Sequence, residues 1–307
     1  MRALVTGATG FIGRHLVLEL RRRDWDIVCM TRRPVEPLDS AIRCTQGDLL
    51  DPASFGFRDV ADVDVLFHFA AQLPAPDILA EQYLAANCTA TARLLQVVAQ
   101  MNIPSVVYAS SLPVIGSPET LPITEDHPTK PQHPYHLSKL CGEMACEMAR
   151  RVKGMRVTSL RITSPYGPGM SSDVVLARFV NRALRSEDIQ WMGTGSRAQN
   201  FVHVSDVVNS ALLAAETEHP GIYNIGGAET TSMQKLAQLV VRLVPDGRSR
   251  ASSAGIPDPE DGLRWEVDIS RAASGLRYRP QVSLEQGLAD YIGWMRSKAP
   301  PPSWWRA

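Results

Sequence analysis

A tyrosine and a lysine four residues apart, Tyr135 and Lys139, form a pair that could move protons. On a helix this spacing places both side chains on one face, about one turn apart. A phenol has a reference pKa of about 10, and a neighbouring ammonium lowers that pKa by favouring the phenolate. The pair could therefore give or take a proton at neutral pH, while Ser111 hydrogen-bonds the same substrate oxygen.

Such a set suits hydride transfer at a carbinol or carbonyl carbon. Ser111 ends a predicted strand that begins at 105, and a predicted helix over 133–151 carries Tyr135 and Lys139. The loop between them holds six prolines between 113 and 134, and loops of this length inside a compact fold are commonly functional. The chain lacks the G-x-S-x-G element of acyl-transfer nucleophiles. Because surface helices also carry Y-x-x-x-K by chance, the surrounding elements decide its meaning.

The first thirteen residues, MRALVTGATGFIG, supply that context. A short apolar run over 3–6 precedes Gly7, Gly10 and Gly13, and residues 11–23 are predicted as an amphipathic helix. Strand, glycine turn and helix together form a dinucleotide fingerprint, in which the helix N-terminus binds the pyrophosphate. We therefore expect a bound dinucleotide rather than an ordinary glycine-rich turn.

The end of the second predicted strand, 26–30, distinguishes the two nicotinamide dinucleotides. NAD enzymes place an acidic residue there, whereas NADP enzymes place an arginine for the 2′-phosphate. Here Thr31 is followed by Arg32 and Arg33, so the sequence favours NADP(H) over NAD(H), with a solvated basic loop as the alternative. Asp48, after a predicted strand over 42–46, is expected at the adenine amino group or as a turn former.

Strands and helices alternate through about residue 162, which predicts an α/β fold with a Rossmann-type doubly wound parallel sheet. Further strands are expected at 64–69, 105–109 and 156–162, and helices at 81–101 and 133–151. Beyond this the alternation weakens, which indicates a smaller C-terminal α/β substrate lobe. The predicted domains are 1–166 for the dinucleotide-binding domain, with a return at about 197–218, then 167–196 and 219–299 for the lobe. Residues 300–307, with Trp304 and Trp305, are a tail.

The composition restricts the partners. The chain has 32 basic and 32 acidic residues and no net charge, so nucleic acid and membrane are not expected as partners. Its five cysteines are an odd number without a C-x-x-C motif, which is typical of free thiols in a reducing cytoplasm. The seven histidines are scattered, and no metal site is expected.

Eight stretches together resemble one family: TGATGFIG (6–13), GDLLD (47–51), HFAAQ (68–72), YASSLPVIG (108–116), YHLSK (135–139), LRITSPYGPG (160–169), FVHVSDV (201–207) and YNIGG (223–227). Over nearly its whole length the chain resembles an extended short-chain dehydrogenase/reductase of the NAD-dependent epimerase/dehydratase family, in its nucleotide-sugar-modifying branch.

The resemblance implies a catalytic triad of Ser111, Tyr135 and Lys139. The expected cofactor contacts are Gly7, Thr9, Gly10, Phe11, Ile12, Gly13, Thr31, Arg32, Arg33, Asp48, Leu49, Phe69, Ala70, Ala71, Gln72, Asn87, Ala109, Tyr135, Lys139 and Ile162. The expected substrate contacts are Gln72, Ser111, Ser164, Arg197, Gln199 and Arg264. The resemblance also implies a homodimer through the helices near 81–101 and 135–151, although their apolar faces could instead be internal core.

Departures from the family pattern narrow the reaction. Family 4,6-dehydratases carry Asp-Glu after the triad hydroxyl residue, whereas Leu112 and Pro113 stand here, so that dehydration is not expected. Nucleotide-sugar enzymes usually have Arg-Asp before the FVHV-like strand, and this chain has Gln199 and Asn200. Arg264 stands where a second diphosphate-binding arginine is expected, and Arg197 could compensate for Gln199. Similarly, Ser164 replaces a common asparagine.

The sequence thus favours NADPH-dependent reduction of a keto group, expected at C4 of a nucleoside-diphosphate 4-keto-6-deoxy sugar, with Tyr135 as the acid. A nucleotide-sugar 4-epimerase with tightly bound NAD is the first alternative. A reductase of a non-sugar carbonyl is the second. A non-catalytic NADP-binding sensor is a third, which the intact triad disfavours.

Overall fold

The computed structural model describes residues 1–35, 41–51, 54 and 62–297. Within these residues the strands are β1 (Arg2–Thr6), β2 (Asp26–Thr31), β3 (Ile42–Gln46), β4 (Val65–His68), β5 (Ser105–Ser111), β6 (Arg156–Ile162), β7 (Ser164–Tyr166), β8 (Ile189–Trp191), β9 (Ala198–His203), β10 (Ile222–Ile225), β11 (Thr230–Ser232) and β12 (Ala251–Ser253). The predicted tail 300–307, with Trp304 and Trp305, lies outside the described residues.

The helices are α1 (Phe11–Arg22), α2 (Ala80–Tyr83), α3 (Ala90–Gln100), α4 (Pro134–Lys153), α5 (Val175–Leu184), α6 (Val204–Glu216), α7 (Met233–Leu243), α8 (Ser270–Gly275) and α9 (Leu284–Ser297). A π-helical turn, Leu84–Thr89, joins α2 to α3, and short 3₁₀ turns cover Leu112–Ile115 and Pro245–Gly247. Among the described helices, none combines the length and the hydropathy that a bilayer crossing requires.

Seven strands form one parallel sheet in the order β10–β6–β5–β4–β1–β2–β3. Its inner strands are nearly continuous apolar runs because helices cover both faces of the sheet. All residues of β4 are buried, as are all but the last residue of β5. The predicted α/β class and Rossmann-type doubly wound parallel sheet are confirmed.

Two hydrophobic cores lie on opposite faces of this sheet. Successive side chains of a strand point to opposite faces, so Val5 of β1 packs into the core shared with α1 and α6. Its neighbour Leu4 packs into the core shared with α3 and α4. The helices on both faces leave the carboxyl ends of the strands as the accessible edge of the sheet.

A third core lies in the C-terminal part, where α5, α7 and α9 surround Trp191 and Phe201. Strand β10 falls within the range predicted for the substrate lobe (219–299), but it joins the central sheet, with Ile222 opposite Ser159 of β6. A strand of four residues carries no local signal for the sheet that it joins. The predicted return of the chain to the sheet at 197–218 is therefore corrected, because the chain also returns to it at Ile222–Ile225. The domain boundaries themselves stay a prediction.

Candidate active site

The glycine turn after β1 is built from close main-chain contacts. Gly7 has a φ of +72°, in the left-handed region, and its carbonyl oxygen accepts a hydrogen bond from the Gly10 N–H at 2.9 Å. A Cβ at Gly7 would lie 2.5 Å from the Ala70 nitrogen, and a Cβ at Gly13 would lie 2.0 Å from the Gly7 oxygen. No side chain of the described residues caps the N-terminus of α1. The main-chain cradle and the helix N-terminus therefore fit a pyrophosphate.

A cavity of about 470 Å³ runs along the carboxyl edge of the sheet, from the end of β3 to the end of β6. Open α/β sheets bind ligands at this edge, at the point where the strand order reverses. The predicted cofactor residues that line the cavity are Gly7, Thr9, Gly10, Phe11, Ile12, Gly13, Thr31, Arg32, Asp48, Leu49, Phe69, Ala70, Ala71, Gln72, Ala109, Tyr135, Lys139 and Ile162. Arg33 and Asn87 are not among the lining residues.

Sequence reasoning missed several residues of the cavity wall. The wall also includes Leu73, Ala86, Ala90, Ser110, Thr163 and Pro165. Ser110 and Thr163 lie at the carboxyl ends of β5 and β6, and this position in the sequence pattern could have predicted that they line the cavity. Ala86 and Ala90 belong to the helical segment behind the cavity, where an alanine looks like ordinary core.

The cavity end at β2 and β3 is the predicted adenosine site. Thr31 and Arg32 line it, and the Thr31 hydroxyl donates to the Arg33 carbonyl oxygen at 2.8 Å. Asp48 also lines it, and its Oδ1 accepts the Leu50 N–H at 2.9 Å. Asp48 thus forms the turn and also lines the cavity, and its contact with the adenine amino group stays a prediction.

Asn87 is buried and supports the cavity from behind. Its Oδ1 accepts the Gln72 N–H at 2.7 Å, and its Nδ2 donates to the Gln72 carbonyl oxygen at 3.0 Å. The same Nδ2 donates to the Ser138 hydroxyl at 2.9 Å, one residue before Lys139. Asn87 lies in the π-helical turn, a form that often occurs at functional sites. The residue predicted to contact the cofactor thus holds the main chain of the cavity wall and joins it to α4.

The triad residues meet at the other end of the cavity. Ser111 is the last residue of β5, and Tyr135 and Lys139 lie in the first two turns of α4. His133 caps this helix, since its Nδ1 accepts the Tyr135 N–H at 3.1 Å. The Tyr135 ring packs edge-on against Tyr83 and His136, with ring centroids 6.1 Å and 5.3 Å away. These contacts hold the phenol at the cavity wall.

The pKa of Tyr135 is shifted in the direction opposite to the one expected from the sequence. Burial raises the pKa of Tyr135 to about 12, whereas the neighbouring ammonium was expected to lower it. Burial also lowers the pKa of Lys139 to about 8, against smaller raising effects of Cys146 and Glu143. Desolvation of the phenolate therefore dominates the pKa of Tyr135, in place of the expected lowering by Lys139.

The predicted substrate residues divide into two groups. Gln72 and Ser111 line the cavity, whereas Ser164, Arg197, Gln199 and Arg264 do not. Gln199 lies in β9, opposite Thr231 of β11, and Ser164 begins β7. The roles of all six in substrate binding stay a prediction.

Both arginines of this set have carboxylate partners. Arg197 pairs with Asp258 at 3.1 Å and with Glu260 at 2.7 Å. Arg264 pairs with Glu266 at 3.3 Å and is about half exposed. A diphosphate would compete with these carboxylates for either guanidinium.

Comparisons with known proteins agree with this architecture. The model of the NAD dependent epimerase/dehydratase family matches residues 3–226. A putative UDP-glucose 4-epimerase from Methanocaldococcus jannaschii is 28% identical over 305 residues, which cover 96% of this chain and 98% of that protein.

Two solved structures extend the likeness to the fold. The UDP-glucose 4-epimerase of Thermotoga maritima with UDP-glucose has a TM-score of 0.86 at 25% identity, and the match covers 97% of this chain and 99% of that one. MoeE5 in complex with UDP-glucose and NAD has a TM-score of 0.82 at 32% identity, with the same coverage of 97% and 99%. On the family match and these relatives, the chain belongs to the NAD-dependent epimerase/dehydratase family.

Proposed function

We propose that this chain is a nucleotide-sugar 4-epimerase, which inverts the hydroxyl at C4 of the sugar. The observation that carries the proposal is the meeting of Ser111, Tyr135 and Lys139 on the cavity that begins at the glycine turn. The relatives from M. jannaschii and T. maritima are named as UDP-glucose 4-epimerases, and the MoeE5 complex contains UDP-glucose. These relatives favour the epimerase over the ketoreductase that the sequence alone puts first.

The triad supplies the proton chemistry of such a reaction. A bound nicotinamide would provide the hydride acceptor and, in the reverse sense, the hydride donor. Tyr135 takes the proton of the C4 hydroxyl and later returns a proton to the keto oxygen, while Ser111 hydrogen-bonds that oxygen. Lys139 contributes a positive charge that favours the phenolate. Oxidation and reduction cancel, so the product forms without net consumption of cofactor.

The same end of the cavity disfavours dehydration. Elimination of water requires an acid and a base besides the tyrosine, yet Leu112 is buried and Pro113 lies in a 3₁₀ turn. Among the described residues that line the cavity, Asp48 is the only acidic one, and it lies at the adenosine end. Within the described lining of the cavity, no second proton-transfer carboxylate lies beside the triad.

We propose further that the dinucleotide is NADP(H). Arg32 lines the cavity at the end of β2, where an NAD enzyme would place a carboxylate for the ribose 2′-hydroxyl. A guanidinium suits a phosphate at this position. An epimerase can use either dinucleotide because the reaction is redox-neutral, so this preference is independent of the sugar chemistry.

We also propose that two copies of the chain associate through α4. Leu137, Met144, Met148 and Val152 form an exposed apolar line on this helix, the outer stripe, with exposures between 42% and 76%. The face turned to the protein interior carries the polar residues Ser138, Lys139 and Glu143 beside the small residues Gly142, Cys146 and Ala149. The solvated face of a helix is normally polar, so the outer stripe fits the same stripe of a second copy.

The function is tested with purified protein, UDP-glucose and a catalytic amount of NAD⁺ or NADP⁺. We expect UDP-galactose to accumulate in the NMR spectrum without net formation of reduced nicotinamide. Tyr135→Phe should lower the rate by about 10²–10⁴-fold and leave cofactor binding intact. The proposal fails if no UDP-hexose is epimerised while NADPH is consumed in step with reduction of a 4-keto sugar.

A further inference from the structure

A buried ion pair lies directly behind the triad. Glu143 and Arg161 are only 2% and 3% exposed. The Arg161 guanidinium donates through Nη2 to Glu143 Oε2 at 2.9 Å and through Nε to Oε1 at 3.0 Å. A buried ion pair adds little stability over apolar residues of similar size, because desolvation offsets the attraction. Its presence beside the cavity therefore calls for a role other than stability.

The pair joins four segments of the chain. Glu143 belongs to α4, and its Oε1 accepts the hydroxyl of Ser110 in β5 at 2.5 Å. Arg161 belongs to β6, where it lies opposite Ser110 in the parallel ladder. The Arg161 Nη1 also donates to the carbonyl oxygen of Glu125 at 3.0 Å, in the proline-rich loop that leads into α4. The carboxylate and the guanidinium thus connect β5 and α4, which carry the triad residues, with β6 and with the loop that precedes α4.

The neighbours of these contacts are the triad residues. Ser111 follows Ser110 in β5, and Lys139 lies four residues before Glu143, so both side chains are on the inner face of α4. Ser110, Ser111 and Lys139 all line the cavity. A change at Glu143 would therefore alter the position of Ser111 relative to the tyrosine and lysine.

We infer that Glu143 and Arg161 are positioning residues, which hold β5 and α4 so that Ser111, Tyr135 and Lys139 face one substrate oxygen. Neither side chain lines the cavity, so the pair acts through the residues that it holds. The inference rests on the proposed epimerase function for its kinetic readout. The negative charge of Glu143 also opposes the effect of burial that lowers the pKa of Lys139, which gives a second, independent readout.

The experiment uses the full chain with Glu143→Gln, Arg161→Met and the double variant Glu143→Leu/Arg161→Met. The double variant leaves no buried charge unpaired, so it should fold, with a small loss of thermal stability because Ser110 and the Glu125 carbonyl oxygen lose a partner. Glu147→Gln is the matched control, because Glu147 lies one turn further along α4 and pairs only near the surface with Arg150 and Arg151.

We expect kcat of the double variant to fall about 10- to 100-fold, with KM for UDP-glucose changed by no more than about twofold. The pKa of Lys139, measured by NMR of its ammonium group, should fall in the variants that lack Glu143. The control should match the wild type in both quantities.

A stable double variant with wild-type kcat and an unchanged Lys139 pKa would overturn the inference. A purely structural role would move only the melting temperature. The Lys139 pKa is measurable whether or not UDP-glucose is turned over. Failure of the proposed function, seen as an inactive wild type, is therefore distinguishable from failure of the positioning role.

Discussion

The ammonium nitrogen of Lys139 lies 4.3 Å from the centroid of the Tyr108 ring. Tyr108 is fully buried in β5, and its hydroxyl donates to the Lys139 carbonyl oxygen at 3.3 Å. A buried ammonium loses the favourable free energy of its hydration. Its attraction to an aromatic face offsets part of that loss and contributes about 2 kcal/mol when the contact is desolvated. Tyr108 therefore stabilises the lysine at the position where the triad needs it.

Two substitutions distinguish the contribution of the Tyr108 ring from that of its hydroxyl. Tyr108→Phe should cost about 1 kcal/mol of unfolding free energy and keep kcat, because the ring under Lys139 remains. Tyr108→Leu should cost about 3 kcal/mol and lower the pKa of Lys139 further. Urea unfolding and the alkaline limb of the pH–rate profile measure both effects. Identical profiles for the two variants would show that the ring contact is unimportant.

Lys139 itself should reduce stability at neutral pH. Burial lowers its pKa to about 8, whereas the unfolded value is about 10.4. Between these values the unfolded chain binds the additional proton, so stability rises with pH across this window and the penalty is fully present below it, at about 3 kcal/mol.

Lys139→Met should therefore be inactive but more stable than the wild type at pH 7. The gain should shrink as the pH approaches 10, which urea unfolding at several pH values would measure. The difference between variant and wild type isolates Lys139 from other titrating groups. A loss of stability at pH 7 would contradict the assigned desolvation.

Substitutions of Arg32 and Arg33 provide a variant and its matched control for the cofactor preference. Arg32 lines the cavity and Arg33 does not. Arg32→Ala should weaken NADP(H) binding about 10- to 100-fold, as expected for loss of hydrogen bonds to a charged group, and leave NAD(H) binding nearly unchanged. Arg33→Ala should leave both unchanged. Calorimetric titration with each dinucleotide provides the test, and a wild type that prefers NAD(H) would refute the preference.

The outer stripe of α4 predicts the oligomeric state. Met148→Glu would place a charge in the centre of the proposed contact between two copies, and it should raise the dimer dissociation constant about 100-fold or more. Ile256→Glu is the control, because Ile256 is 57% exposed and lies in a loop far along the chain from the stripe. Analytical ultracentrifugation distinguishes the two, and a monomeric wild type would exclude the dimer.

The central strands and the glycine turn could be predicted because apolar runs of the right length are bounded by turn residues. Strands β2 and β3 were expected at 26–30 and 42–46 and lie at Asp26–Thr31 and Ile42–Gln46. Three of the four described three-residue strands, β7, β11 and β12, carry no such pattern, and their pairing depends on partners distant in the chain.

The partners of the charged residues in and around the site could not be predicted from the sequence. Glu143 on a helix looks like a solvated residue until the fold brings Arg161 and Ser110 against it. Arg197 looked available for a phosphate, since its partners Asp258 and Glu260 lie some sixty residues further along the chain. The reactive types and their spacing are visible in the sequence, but their neutralising partners are set by tertiary contacts.

The helix predicted over 81–101 contains the π-helical turn Leu84–Thr89, and this feature restricts how the chain can vary in length. A π turn holds about one residue more than an α turn. Deleting one residue there would convert the turn to regular α-helix, and the residues inside it, Asn87 among them, would move to new positions around the helix axis, by up to about 100°. Asn87 could then no longer reach both Gln72 and Ser138. Insertions and deletions should therefore accumulate outside this segment.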